Sequence, residues 1–181
     1  MSAEHLVIPL ADLTAVPYLD AEGMLPQQFA GKIGAYAIFS ENQTLQYVGY
    51  SRDIYLSLKQ HLVRQPRLCY WLKVQTIDRP NRSLLEEMRH TWIQSNGAPV
   101  PGNQTDQQQW EQAIDVKAAM TAEERAQHQN PELDERSQVK ILKTVARRLE
   151  SEILEILNQR GLQESLRFNP KLKETGFLDL K

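Results

Sequence analysis

Residues 34–50 read GAYAIFSENQTLQYVGY, a pattern that predicts a β-hairpin. Small, aliphatic and aromatic residues fill both arms, and such residues favour strands. The stretch Glu41-Asn42-Gln43 between the arms supplies a polar turn. The hairpin therefore places Tyr36 and Tyr47 on neighbouring strands.

A helix is predicted to follow the hairpin, with Ser51 as its N-cap and an end near Pro66, because its apolar residues recur four apart. A third strand over residues 70–77 and a second helix over residues 84–95 come next. Asn96-Gly97 stops that second helix. The predicted order is β-β-α-β-α, which is an α/β (α+β) arrangement.

Residues 47–61 read YVGYSRDIYLSLKQH, which resembles the pattern Y-I-G-x-S-x-N-L-x-x-R-x-x-x-H of the GIY-YIG nuclease family. The tripeptides at 34–36 and 47–49 also have the separation typical of that family. The resemblance covers about residues 31–103. It implies a small core with a three-stranded antiparallel sheet, here followed by a C-terminal helical extension.

The resemblance also implies a site chemistry. In an intact site, a tyrosine hydroxyl activates water, a carboxylate holds a divalent ion against the phosphate, and an arginine stabilises the developing charge. The catalytic positions fall on Tyr36, Tyr47 and His61, and the metal position falls on Glu86 or Glu87. An active site would use Mg²⁺ or another divalent metal, whereas an inactive one would need no cofactor.

Two positions depart from the family pattern. The family arginine falls on Ser57, and Arg89 stands where a metal-binding glutamate is expected. Loss of one such stabiliser costs about a hundred- to a thousandfold in rate. We therefore weigh two functions: a degenerate site kept as a nucleic-acid-binding or protein-binding module, which the mechanism favours, and a metal-dependent DNA endonuclease with relocated catalytic groups.

Basic residues of the core give candidate nucleic-acid contacts. Residues 31–103 carry nine Lys and Arg against five acids, while the rest of the chain is acidic. Arg52, Lys59 and Arg64 on the first helix are the candidates, and Arg52 or Arg64 could replace the missing arginine. The excess is small for a DNA-binding protein, so charge alone does not decide the partner.

Ordinary structural roles compete with each of these assignments. Tyr36 and Tyr47 could be a cross-strand aromatic pair, which the helix pattern makes the less favoured interpretation. His61 by itself is more typical of a surface or capping histidine. Glu86 and Glu87 suit the first part of a helix near the positive end of its dipole, and this interpretation is as strong as metal binding.

A long helix is predicted over residues 135–158, because apolar residues recur three or four apart and Gly161 follows. Its stripe over residues 139–156 either packs within the chain or binds a protein partner, including a second copy in a homodimer. The sequence thus divides into four predicted segments: an acidic N-terminal extension (1–30), the core (31–103), a polar connection with short helices (104–134), and the long helix with its tail (135–181).

Composition excludes several protein classes. The chain has 181 residues, 41% of them hydrophobic, so it can bury a core, and it contains no run of eighteen apolar residues that would predict a membrane span. The start Met1-Ser2-Ala3-Glu4-His5 resembles neither a signal nor a transit sequence, which predicts a cytoplasmic location. The single Cys69 excludes an internal disulfide and a cysteine zinc cluster, and its apolar neighbours predict a buried, inert thiol.

Overall fold

The computed structural model describes residues 6–181, which form two compact units that divide between Glu111 and Gln112. The division of the chain into four segments remains a prediction. Residues Met1–His5, from which the cytoplasmic location was predicted, lie outside the described residues. Across residues 6–181, no helix is long and apolar enough to cross a bilayer.

The elements of the first unit are β1 (Val16–Pro17), β2 (Ile33–Phe39), β3 (Leu45–Ser51), α1 (Ile54–Arg64), β4 (Trp71–Ile77), α2 (Arg82–Ser95) and α3 (Gln107–Glu111). Those of the second unit are β5 (Ile114–Asp115), α4 (Ala122–His128), α5 (Glu135–Gln159), α6 (Pro170–Glu174) and β6 (Phe177–Leu178).

The sheet of the first unit is antiparallel and has the strand order β1-β4-β2-β3. The mixed fold and the predicted order β-β-α-β-α from β2 to α2 are confirmed. The predicted three-stranded sheet is wrong, because the N-terminal segment adds a fourth strand at the edge. Val16 of β1 pairs with Leu72 of β4, and Pro17 pairs with Trp71. Proline is tolerated there because an edge strand does not need every backbone N–H.

The two long helices of this unit cover opposite faces of the sheet. Ala35 and Ala37 of β2 pack with Met88 and Trp92 of α2 in one buried cluster. Tyr36 lies between those alanines, so its side chain points to the other face, where it meets His61 of α1. The alternation of small and large residues in β2 therefore assigns each face to one helix.

Helix α1 begins differently from the prediction. Its N-cap is Asp53, whose side chain accepts a hydrogen bond from the Leu56 N–H. The predicted cap, Ser51, instead closes a local turn, since its hydroxyl donates to the Asp53 carbonyl and accepts from the Asp53 N–H. Helix α2 starts at Arg82 behind an Asn81 cap, two residues before the predicted start.

The loop after α2 seals the exposed edge of β3. The Asn103 side chain donates to the Val48 carbonyl and accepts from the Val48 N–H, both at 2.8 Å, as a neighbouring strand would. Gly102 allows this approach, because a Cβ there would lie 2.5 Å from the Gln46 carbonyl oxygen. These contacts position α3 and its Trp110 beside the hairpin.

The predicted long helix is confirmed as α5, which ends one residue later than expected at Gln159 and is followed by Gly161 at φ +86°. It packs against α4, α6, β6 and a short 3-10 turn of its own unit. Five side chains of the helix are buried there: Leu142, Val145, Ala146, Ile153 and Leu157. Part of the apolar stripe is thus used within the second unit, and a partner surface on the rest remains a prediction.

Candidate functional site

The structure brings the three predicted catalytic residues together. The Tyr36 hydroxyl and the His61 Nε2 are hydrogen-bonded at 2.8 Å, and the ring centroids of Tyr36 and Tyr47 lie 6.3 Å apart. All three side chains are 5% exposed or less. With Trp110 they form what we call the aromatic cluster, and it is an interior feature of the first unit rather than an open cleft.

Trp110 closes the aromatic cluster. Its ring stacks on Tyr47 with an interplanar angle of 2° and a centroid distance of 5.2 Å, and it is 1% exposed. The Arg64 Nη1 donates to the Trp110 carbonyl at 2.9 Å, which fixes α3 against α1. Sequence reasoning missed this contact; the only signal was a lone tryptophan in a glutamine-rich segment.

The predicted metal ligands lie away from the predicted catalytic tyrosines. Glu86 accepts a hydrogen bond from the Tyr50 hydroxyl at 2.6 Å, and Tyr50 pairs with Ala35 on the α2 face of the sheet. Glu87 is exposed. The carboxylate that does reach the aromatic cluster is Glu111, which accepts from the Tyr47 hydroxyl at 3.1 Å. Among residues 6–181, no group of three or more His, Cys, Asp or Glu side chains could hold a metal ion.

The three residues predicted to contact nucleic acid have different surroundings in the structure. Arg64 is committed to the Trp110 carbonyl, and the Lys59 amino group lies 5.4 Å from the centre of the Tyr55 ring. Arg52 is exposed. Ser57, at the family arginine position, donates to the Ser51 hydroxyl at 2.8 Å.

Burial sets the protonation states of the aromatic cluster. Desolvation raises the pKa of Tyr36 and of Tyr47 above the ordinary value for tyrosine. It lowers the pKa of His61 to about 3, and the nearby positive charge of Arg64 acts in the same direction. At neutral pH the cluster is uncharged and shielded from water, which suits a packed core better than proton transfer to a substrate.

The Tyr36 hydroxyl is expected to stabilise the fold. Tyr36→Phe should lower the free energy of unfolding by about 1–2 kcal/mol, because it removes a buried hydrogen bond and leaves His61 Nε2 without this partner. Urea unfolding at pH 7 measures the change. Tyr55→Phe is the control, since the Tyr55 hydroxyl accepts an exposed hydrogen bond from Gln27 and its loss should cost less than about 0.5 kcal/mol. If Tyr36→Phe and Tyr55→Phe lowered the free energy of unfolding equally, the stabilising role of the Tyr36 hydroxyl would be contradicted.

Cys69 lies next to the aromatic cluster and is completely buried, as predicted. Its thiol donates to the His61 carbonyl at 3.5 Å. The residue stands just before β4, in the turn that connects α1 to that strand. Its sulfur is therefore a packed part of the interior.

Comparison with known proteins finds a similarity to a plant glutaredoxin. The bifunctional monothiol glutaredoxin-S16, chloroplastic, of Arabidopsis thaliana is 33% identical over 100 residues, which are 51% of this chain and 34% of that protein. The matched region thus spans about a third of the relative. No family model matches the chain.

This comparison corrects the family expectation drawn from the sequence. The protein that matches is named as a glutaredoxin, so the assignment to the GIY-YIG nucleases is withdrawn. The endonuclease function and the degenerate nuclease module are withdrawn with it, together with the DNA binding attached to them. The tyrosine tripeptides that suggested the family occupy the interior of the fold.

Proposed function

We propose that the first unit is a binding module for small ligands and not a thiol enzyme. The observation that carries the proposal is the burial of its chemically reactive groups: Cys69 is 0% exposed, Tyr36 2% and His61 4%. Reactive groups that serve catalysis need access to a substrate. The side chains of this unit that face solvent include Arg52 and Arg82, and guanidinium groups suit the binding of anionic ligands.

The name of the matched relative makes thiol chemistry the main competing function. A monothiol glutaredoxin acts, by its name, through one cysteine, and this chain also has one. Thiol–disulfide exchange requires a thiolate that reaches the disulfide sulfur. The Cys69 thiol donates a hydrogen bond to the buried His61 carbonyl, which supports a structural role.

Thiol labelling tests this proposal. We expect Cys69 in the native chain to react with an aromatic disulfide reagent at least about a hundredfold more slowly than in urea, because each 1.4 kcal/mol of opening slows labelling about tenfold. Ser83→Cys, at an exposed position of α2, supplies a control thiol in the same fold and should react at once. Rapid native labelling of Cys69, or exchange with a small disulfide that Cys69→Ser abolishes, would show thiol chemistry and overturn the proposal.

A protein partner, including a second copy of the chain, could pack on the half-buried apolar residues of α5, and light scattering after size-exclusion chromatography would measure the assembly. We also retain the cytoplasmic location as a prediction from the sequence, although the name of the relative assigns that protein to the chloroplast.

A further inference from the structure

A small cavity lies on the first unit where the end of β3 meets the start of α2. Its volume is about 300 Å³, which is within the range of small-molecule sites. Ile33 and Leu85 give it apolar walls, together with Pro80 and the Tyr50 side chain. None of the residues of the aromatic cluster lines it.

Two guanidinium groups line the same cavity. Arg52 follows β3 and Arg82 opens α2, and both are exposed. Within residues 6–181, no hydrogen bond or ion pair engages either guanidinium, in contrast to Arg148 of the second unit, which binds Glu124 and Glu152. Asn81 lines the cavity too, and its side-chain oxygen is already used as the α2 cap.

We propose that this cavity binds a small organic phosphate monoester, with Arg52 and Arg82 on the phosphate and the Tyr50, Ile33 and Leu85 walls on its apolar body. The inference rests on the proposed function, since it names the ligand of the binding module. Two guanidinium groups match the double negative charge of a phosphate monoester, and each can donate two parallel hydrogen bonds to phosphate oxygens. The apolar walls favour an organic ester over the bare ion.

One nearby acid limits the affinity. Glu86 accepts from the Tyr50 hydroxyl, so its carboxylate stands beside the cavity wall. A negative charge there opposes an anion, and the hydrogen bond from Tyr50 holds it in place. Glu86→Gln keeps a hydrogen-bond acceptor for Tyr50 and removes the charge, and it should therefore strengthen phosphate binding.

Calorimetry with the full chain tests the site, with phenyl phosphate, inorganic phosphate and phenol as probes. We expect saturable binding of phenyl phosphate in the millimolar range or below, weaker binding of inorganic phosphate, and none of phenol. No saturable binding of phenyl phosphate would overturn the proposal. Equal binding of phenol would show that the anion is not recognised, and equal binding of inorganic phosphate would show that the apolar walls are not used.

Variants that each remove one positive charge show whether phosphate binding depends on the arginines of the cavity or on positive charge in general. Arg52→Gln and Arg82→Gln should each weaken phenyl phosphate binding about tenfold or more. Arg79→Gln is the control, because Arg79 is exposed, lies three residues from Arg82 and does not line the cavity. Equal weakening by the control would overturn the proposal. Failure here leaves the labelling of Cys69 unchanged, so this site and the broader binding function fail separately.

Discussion

Trp110→Ala is expected to lower the free energy of unfolding of the first unit by about 3–5 kcal/mol, the range found for removal of a buried aromatic side chain. Trp110 is 1% exposed and stacks on Tyr47. Its removal would leave a void over the aromatic cluster and expose that cluster to water. A loss of this size is a large part of the stability of an ordinary domain.

Urea unfolding followed by fluorescence measures this effect. The three tryptophans of the chain, Trp71, Trp92 and Trp110, all belong to the first unit, so the two that remain in the variant still report its unfolding. Trp71→Ala is the matched control, because Trp71 is only half-buried and pairs with Pro17 at the edge of the sheet. If Trp110→Ala lowers the free energy of unfolding no more than Trp71→Ala does, Trp110 does not shield the aromatic cluster from solvent.

The elements that the sequence predicted well are those whose signal is local. Helix α5 has a continuous apolar period over 25 residues, and its end is marked by Gly161. The hairpin of β2 and β3 has two apolar arms around a polar turn, in which Gln43 adopts a φ of 61°. For such segments, periodicity and turn residues suffice, because each element is specified by its own residues.

The missed elements depend on distant contacts. Strand β1 has only two residues, one of them proline, and it exists because Val16 meets Leu72 across the sheet. Trp110 stands in a polar segment, and only the fold shows that it covers Tyr47. A local sequence pattern cannot predict either contact, because each one joins two residues that are more than fifty positions apart in the chain.

The candidate site was half predicted for the same reason. The hairpin pattern predicted that Tyr36 and Tyr47 are neighbours, and His61 was added only by the resemblance to the nuclease pattern. The structure brings the three side chains together, and it does not test their predicted catalytic roles. The sequence could not show that Glu86 lies on the other face of the sheet, because that depends on which face α2 covers. Nor could it show that the cluster is closed. A pattern of residue types can show which side chains lie close together on the predicted strands and helices. It does not show whether solvent can reach them.

The stability of the first unit is expected to fall as the pH is lowered from 7 to 5, and His61 should account for about 2 kcal/mol of that loss. Burial holds the pKa of His61 at about 3 in the folded chain, against 6.5 for an ordinary histidine. Below pH 6.5 the unfolded chain binds a proton that the folded chain does not. This contribution is therefore fully present above pH 6.5 and is lost progressively as the pH falls toward 3.

Urea unfolding of the wild type and of His61→Gln at pH 7 and pH 5 isolates this contribution. The substitution also costs stability at both pH values because it disturbs the hydrogen bond to Tyr36, so the difference between the two pH values is the quantity to compare. That difference should be smaller in His61→Gln by about 2 kcal/mol. His90→Gln, at an exposed position, should retain the wild-type difference. If His61→Gln keeps it as well, His61 titrates in the folded state near its ordinary pKa, and the aromatic cluster admits water.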